Sequence, residues 1–265
     1  MNFELNEEQL MIKKTARDYA QRELFKDVIE RDAQAKYPTE HVKAVAELGF
    51  FGMLISPDYG GVGVDSISYA LALEEISKVD SSIAVILSVH NSFAGYGIQT
   101  YGTKEQKEKF LPDLASGKKI GAFLLSEPDA GSDASFQKTA AIDKGDHYII
   151  NGVKNWITSA NTGGTYIVIA QTYPEKGHKG INAFIVDRNT KGISIGPHED
   201  KMGMRSSDTH SVMFTDVIVP KENRIGELAE GRLHQVGLWK FKDQLAKNIA
   251  YGNQRMLEIG RALAT

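Results

Sequence analysis

The sequence predicts a chain of mixed class: a helical N-terminal domain over residues 1–119, an antiparallel, β-barrel-like domain over 120–227, and a short helical segment over 228–265. Three observations predict it. Up to about Ile120 apolar residues recur at helical spacing, beyond it β-branched and aromatic runs alternate with polar turns, and after Gly231 the helical period returns. At 265 residues the chain is long enough for more than one core.

Each element has a local reason. From Asn6 to about Ala33, Leu10, Ala16, Ala20, Leu24 and Val28 recur mostly at intervals of four among charged residues, which reads as one amphipathic helix. Asn6 is placed to cap it, and Glu7 and Glu8 suit the positive end of its dipole. A second helix is expected from Thr39 to Gly49 and a third from Ser66 to Lys78. A fourth, from Ser81 to Gln99, is apolar nearly all round and so belongs at the centre of its domain. Thr103-Lys104-Glu105-Gln106 is a capping box for a short helix that Pro112 is expected to end.

Strands are expected at Tyr148–Ile150, Val153–Trp156, Tyr166–Ile169, Ala183–Val186, Ile193–Ile195 and Ser211–Val219. Asn151-Gly152 between the first two signals a hairpin, because a type I′ turn needs positive φ at both central residues. Beyond Gly231, Leu238, Phe241, Leu245 and Ile249 mark one face of a further helix.

Composition excludes several functions. With 31 basic and 34 acidic residues the net charge is −3, so no basic field exists for nucleic acid or an acidic membrane. The absence of cysteine removes disulfides, iron–sulfur clusters and thiolate chemistry. The seven histidines are scattered without metal-ligand spacing, so no metal site is expected. An acidic N-terminus without an apolar signal stretch makes a cytoplasmic chain the expectation.

Three loops carry chemistry, each with an ordinary reading beside it. Leu125 to Asp133 follows a strand and can expose backbone N–H groups and the Ser126 and Ser132 hydroxyls, although such loops are most often plain turns. Trp156 and Thr158 sit at strand spacing on one face and can pack and hydrogen-bond one planar heterocycle, against the reading of Trp156 as core. Lys201 to Thr209 reads by itself as a solvated loop, in which an internal Arg205–Asp208 contact and a ligand contact stand equally open. Tyr59-Gly60-Gly61-Val62-Gly63 is a turn, since it lacks the strand and helix of a dinucleotide fingerprint.

Together and in this order, the three loops resemble those of the acyl-CoA dehydrogenase family, short-chain members most. Glu47-Leu48-Gly49-Phe50, Tyr59-Gly60-Gly61, Glu74-Glu75-Ile76 and Gly102 to Lys107 extend the resemblance over residues 1–227. It implies FAD against the middle domain, lined by Phe123, Leu124, Leu125, Ser126, Gly131 and Ser132, with Trp156, Ile157 and Thr158 on the isoalloxazine. Ser132 would also touch the acyl-CoA substrate. The implied reaction is α,β-desaturation of an acyl thioester, with electron-transfer flavoprotein as electron acceptor. The family's glutamate base and further FAD contacts belong to a C-terminal helical bundle, which residues 228–265 represent only in part. No catalytic residue is therefore assigned. Glu258, beside Arg261, is the one candidate for a replacement base, against its reading as a surface glutamate. The resemblance further implies a homo-oligomer, or a partner chain that supplies helices. Two other readings stay open: a remnant that binds FAD or acyl-CoA without turnover, and a structural partner that binds neither.

Overall fold

The computed structural model describes residues 4–226. The expected helix with Leu238, Phe241, Leu245 and Ile249, and Glu258 with it, lie outside the described residues. Helices α1 (Glu7–Arg22), α2 (Val28–Ala33), α3 (Thr39–Glu47), α4 (Ser66–Ser77), α5 (Ser81–Val89), α6 (Tyr96–Tyr101) and α7 (Lys104–Ala115) come first. Strands β1 (Gly121–Leu124), β2 (Ala140–Asp143), β3 (His147–Thr158), β4 (Thr165–Gln171), β5 (Ile181–Asp187), β6 (Ile193–His198) and β7 (Thr209–Pro220) follow.

Helix starts obey local chemistry. Asn6 Oδ1 accepts from the Gln9 N–H at 2.8 Å while Gln9 Oε1 accepts from the Asn6 N–H at 3.1 Å, and Thr103 and Gln106 repeat this reciprocal cap on α7. Asp80 caps α5 through the N–H groups of Ser82 and Ile83.

Helix continuity departs from expectation in three places. The helix expected to reach Ala33 stops at Arg22 and restarts as α2 after a 3₁₀ turn at Leu24–Lys26. The break buries Leu24 and turns Arg31 inward, where its guanidinium donates to Asp80 at 2.8 Å and meets Asp27 at 2.9 Å. The central helix is buried as expected, but a π-helical turn at His90–Gly95 joins α5 to α6. Pro112 does not end α7, which runs on to Ala115. A proline forfeits one backbone bond, whereas the next turn carries the buried Leu114 and Ala115 into the core.

The sheet is mixed rather than antiparallel. β4 lies between β1, parallel to it, and β5, antiparallel to it; β2-β3-β7-β6 forms a second, antiparallel section, joined to the first by one parallel pairing of Ala140 with Gln171. β1 and β4 are parallel because the chain crosses to the second section and back before β4 begins. The two sections share a core that includes Leu124, Tyr148, Ile150, Ile157, Tyr166, Phe184 and Val217. A separate apolar cluster joins Ile98, Leu111 and Leu114 to Ile167, Ile169 and Ile185, so helices and strands meet in a packed seam. Gly121 opens β1 at that seam, where a Cβ would lie 2.2 Å from that of Ala94.

The Asn151-Gly152 hairpin does not form. β3 runs straight through the pair; the bulge there is on β7, where Thr215 and Asp216 face Asn151 and Asp216 takes φ +50°, while Gly152 takes φ +149°. A Cβ there would sit 2.5 Å from Thr139 Oγ1 and 2.7 Å from Thr139 Cα, so the glycine answers to β2 rather than to a turn. The reversal between β2 and β3 falls at Lys144-Gly145-Asp146, with Gly145 at φ +97°.

Candidate cofactor site

The C-terminal end of β3 gathers all three loops. The Asn155 N–H donates to the Ser126 carbonyl at 2.8 Å, which ties the loop after β1 to β3. On the other side Thr158 pairs with Thr209, and the Ser159 N–H donates to the Asp208 carbonyl at 2.7 Å.

Between these ties β3 bulges. The register slips between Lys154 and Ile157, and Trp156 takes φ +61°. A left-handed conformation costs a bulky residue on the order of 1–3 kcal/mol and persists only where its surroundings enforce it. The extra residue resets the strand's alternation: Lys154 and Ile157 point into the core, while Asn155, Trp156 and Thr158 are left towards the surface. Trp156 is 60% exposed, so it is not a core tryptophan. Of the other residues singled out in the sequence, Phe123, Leu125, Ser126 and Thr158 are half-buried, and Gly131 and Ser132 are exposed. The side chains of Leu124 and Ile157 fill the sheet core, which leaves them only backbone groups to offer a ligand. Phe123 stacks on Phe93 of the π-turn at 4.6 Å between ring centroids.

Two buried polar clusters under these loops escaped the sequence reading. In the first, Lys154 Nζ donates to Leu125 O at 2.9 Å, Glu127 Oε1 at 2.7 Å and Gln137 Oε1 at 3.2 Å. Glu127 also accepts from the N–H groups of Lys138 and Thr139, clamping the far end of the loop. Burial by itself would raise the Glu127 carboxyl; its bonds from Lys154 and from the loop outweigh this and hold it below the usual carboxylate range. Burial pushes Lys154 down to about 8, with Glu127 opposing the fall. A lysine amid the apolar alternation of β3, with a glutamate in a loop after a strand, was the signal available.

In the second cluster, Asp208 Oδ2 accepts from Asn161 N, Thr162 N and Thr162 Oγ1 at 2.9, 2.6 and 2.7 Å, and Asp208 Oδ1 lies 2.6 Å from His210 Nε2. The expected Arg205–Asp208 contact does not form: the Arg205 guanidinium lies 3.9 Å from Asp200, and its backbone N–H donates to Asp32. Nor is this stretch simply solvated, since Ser206, Ser207 and Asp208 are buried against the turn that follows β3. The hydroxyls of Ser159, Ser206 and Ser207 are buried without a hydrogen-bond partner.

An exposed aromatic held in a strained bulge suits a planar cofactor better than a sealed turn. Among the described residues no group of three or more His, Asp or Glu is placed to hold a metal ion, and no helix is long and apolar enough to cross a membrane. A cavity of about 330 Å³ between α7 and Lys221–Gly226 shares no lining residue with the three loops.

Comparison with known proteins identifies the family. Residues 6–118 match the family description "Acyl-CoA dehydrogenase, N-terminal domain", and residues 122–217 match "Acyl-CoA dehydrogenase, middle domain". A short-chain-specific acyl-CoA dehydrogenase of Clostridium acetobutylicum is 44% identical over 231 residues, covering 87% of this chain and 61% of that protein. The butyryl-CoA dehydrogenase structure from Megasphaera elsdenii superimposes with a TM-score of 0.83 at 40% identity, covering 91% of this chain and 65% of that one. An acyl-CoA dehydrogenase from Bacillus anthracis, solved with FAD, gives 0.78 at 34% identity, covering 89% of this chain and 42% of that one. The chain thus spans about six tenths of the length of the curated relatives it matches. Matched in sequence by both domain descriptions and in structure across its helices and sheet, the chain belongs to the acyl-CoA dehydrogenase family.

Proposed function

We propose that the protein binds FAD at the end of β3 and serves the α,β-desaturation of an acyl-CoA thioester. The observation that carries the reading is Trp156, exposed in a left-handed bulge and tied through its neighbour Asn155 to the Ser126 loop. Bound FAD would supply the hydride acceptor. The chain's own residues would do the holding: Trp156 offers a ring face, Ser126 and Thr158 offer hydrogen-bond donors, and Phe123, Leu125 and the exposed Gly131–Ser132 turn line the approach. Leu124 and Ile157 would contribute backbone alone. Ser132, outermost in the loop, is the proposed contact for the thioester.

FAD titration followed by flavin fluorescence tests this. Quenching is expected, with affinity at least tenfold weaker in Trp156→Ala; equal binding by that variant sinks the assignment. Anaerobic addition of butyryl-CoA or octanoyl-CoA should then bleach the flavin, and Glu258→Gln asks whether that residue is the base.

One observation favours a second reading, binding without turnover. Every carboxylate in the three loops is engaged: Glu127 with Lys154, Asp129 with Lys138, Asp133 with Ser135, and Asp208 with Thr162 and His210. None is free to take an α-proton. A yellow protein that acyl-CoA does not bleach would establish this reading.

Electron-transfer flavoprotein is the proposed electron acceptor, and the proposed setting is cytoplasmic. Association with a second copy or another chain is supported by exposed apolar side chains around the α1–α2 break, with Phe25 68% and Ile29 80% exposed. Light scattering on the purified chain should report more than a monomer.

A further inference from the structure

Lys154 has no exposed surface, and its ammonium is held by three acceptors, of which the Leu125 carbonyl sets a direction. In a planar trans peptide the carbonyl and the N–H point to opposite sides. An ammonium that draws the Leu125 carbonyl inward therefore turns the Ser126 N–H outward. That N–H has no acceptor among the described residues, whereas the Ser126 carbonyl is taken by Asn155, next to Trp156. Hydrogen bonds in line polarise one another, so positive charge on the carbonyl strengthens the N–H as a donor.

Resting on the FAD reading above, we infer that Lys154 is a positioning residue that fixes and polarises the Leu125–Ser126 peptide, so that the Ser126 N–H donates more strongly to a bound flavin that has gained negative charge on reduction. Glu127 is part of the device, because its carboxylate allows the buried ammonium to persist near neutral pH and also moderates its field. The preference concerns oxidised against reduced FAD, and is separate from whether either binds.

The test measures dissociation constants of oxidised and dithionite-reduced FAD for the full chain, anaerobically, by intrinsic fluorescence. In the wild type, reduced FAD should bind more tightly. Lys154→Met should reduce the ratio of oxidised to reduced dissociation constants about tenfold, which for a two-electron couple is a potential about 30 mV lower. Glu127→Gln should move the ratio the same way, since without the carboxylate the buried ammonium gives up its proton near neutral pH. A purely structural role would weaken both forms equally in both variants, and that result, or an unchanged ratio in Lys154→Met, overturns the inference. If Lys154→Met yields no cooperatively folding chain, Glu127→Gln decides, and a ratio at or above the wild-type value overturns it. Failure of the wild type to bind either form overturns the FAD reading itself.

Discussion

At the seam between helices and sheet, His90 lies fully buried with no ion partner; on β3, Lys154 is equally buried but faces Glu127 at 2.7 Å. Both suffer the same penalty for carrying charge away from water, and they resolve it in opposite ways. Burial pushes His90 down to about 4, so it is neutral and uses Nδ1 to accept the Gly121 N–H at 2.9 Å, pinning the π-turn to β1. Lys154, with a carboxylate beside it, falls only to about 8 and keeps its charge at neutral pH. The seam needs a hydrogen bond of fixed geometry, and a neutral ring supplies it. Under the loops at the end of β3 the fold retains a charge instead, close in sequence to the exposed Trp156.

The largest effect expected to break this comparison comes from Lys154→Met. The variant strands Glu127 as an uncompensated buried charge, which costs about 3–5 kcal/mol. Urea unfolding measures it, and a loss below about 1 kcal/mol would show that Glu127 readily finds water or protonates.

His90 should make stability depend on pH at the seam. Its folded pKa lies below the ordinary value of 6.5, so the unfolded chain takes up the proton first. Its contribution is complete above about pH 6.5 and is lost as pH falls through about 4, by up to about 3 kcal/mol. In unfolding midpoints compared between pH 7 and 4.5, His90→Gln should flatten this part of the slope. A parallel slope in the variant would place the acid sensitivity elsewhere.

Gly152→Ala probes the backbone that carries Lys154 rather than its charge. The new Cβ would collide with Thr139, and φ +149° suits glycine, so a loss of about 1–3 kcal/mol is expected. Circular dichroism melts check it; a neutral result would mean that β2 yields at Thr139.

The smallest effect on the fold belongs to the residue expected to matter most for the ligand. Trp156 packs little, so Trp156→Ala should change stability by no more than about 0.5 kcal/mol while FAD affinity falls at least tenfold. A large loss of stability would mark Trp156 as a structural residue after all.

Much of this molecule was legible in its sequence, and the reason is range. Caps at Asn6 and Thr103 act over three residues, and the helical and strand periods act over one or two turns, so both can be read from neighbours alone. The motif loops and their order were legible too. The reading failed where a distant segment decided the outcome. Asn151-Gly152 satisfies the local rule for a hairpin, yet Thr139, just before β2, claims the space beside Gly152. Arg31 reads as a solvated helix residue until Asp80, 49 positions away, draws it inward.

By itself, then, the sequence determined where capped helices start, where strands take over and which loops carry the family's motifs, since each depends on residues within a few positions of one another. Tertiary structure alone decided that β1 and β4 run parallel, that the bulge at Trp156 turns the ring outward, and that Lys154 meets Glu127 across 27 positions. Those outcomes follow from burial and pairing between remote segments, where a charge or a backbone direction is fixed by what lies across the core rather than by what lies next along the chain.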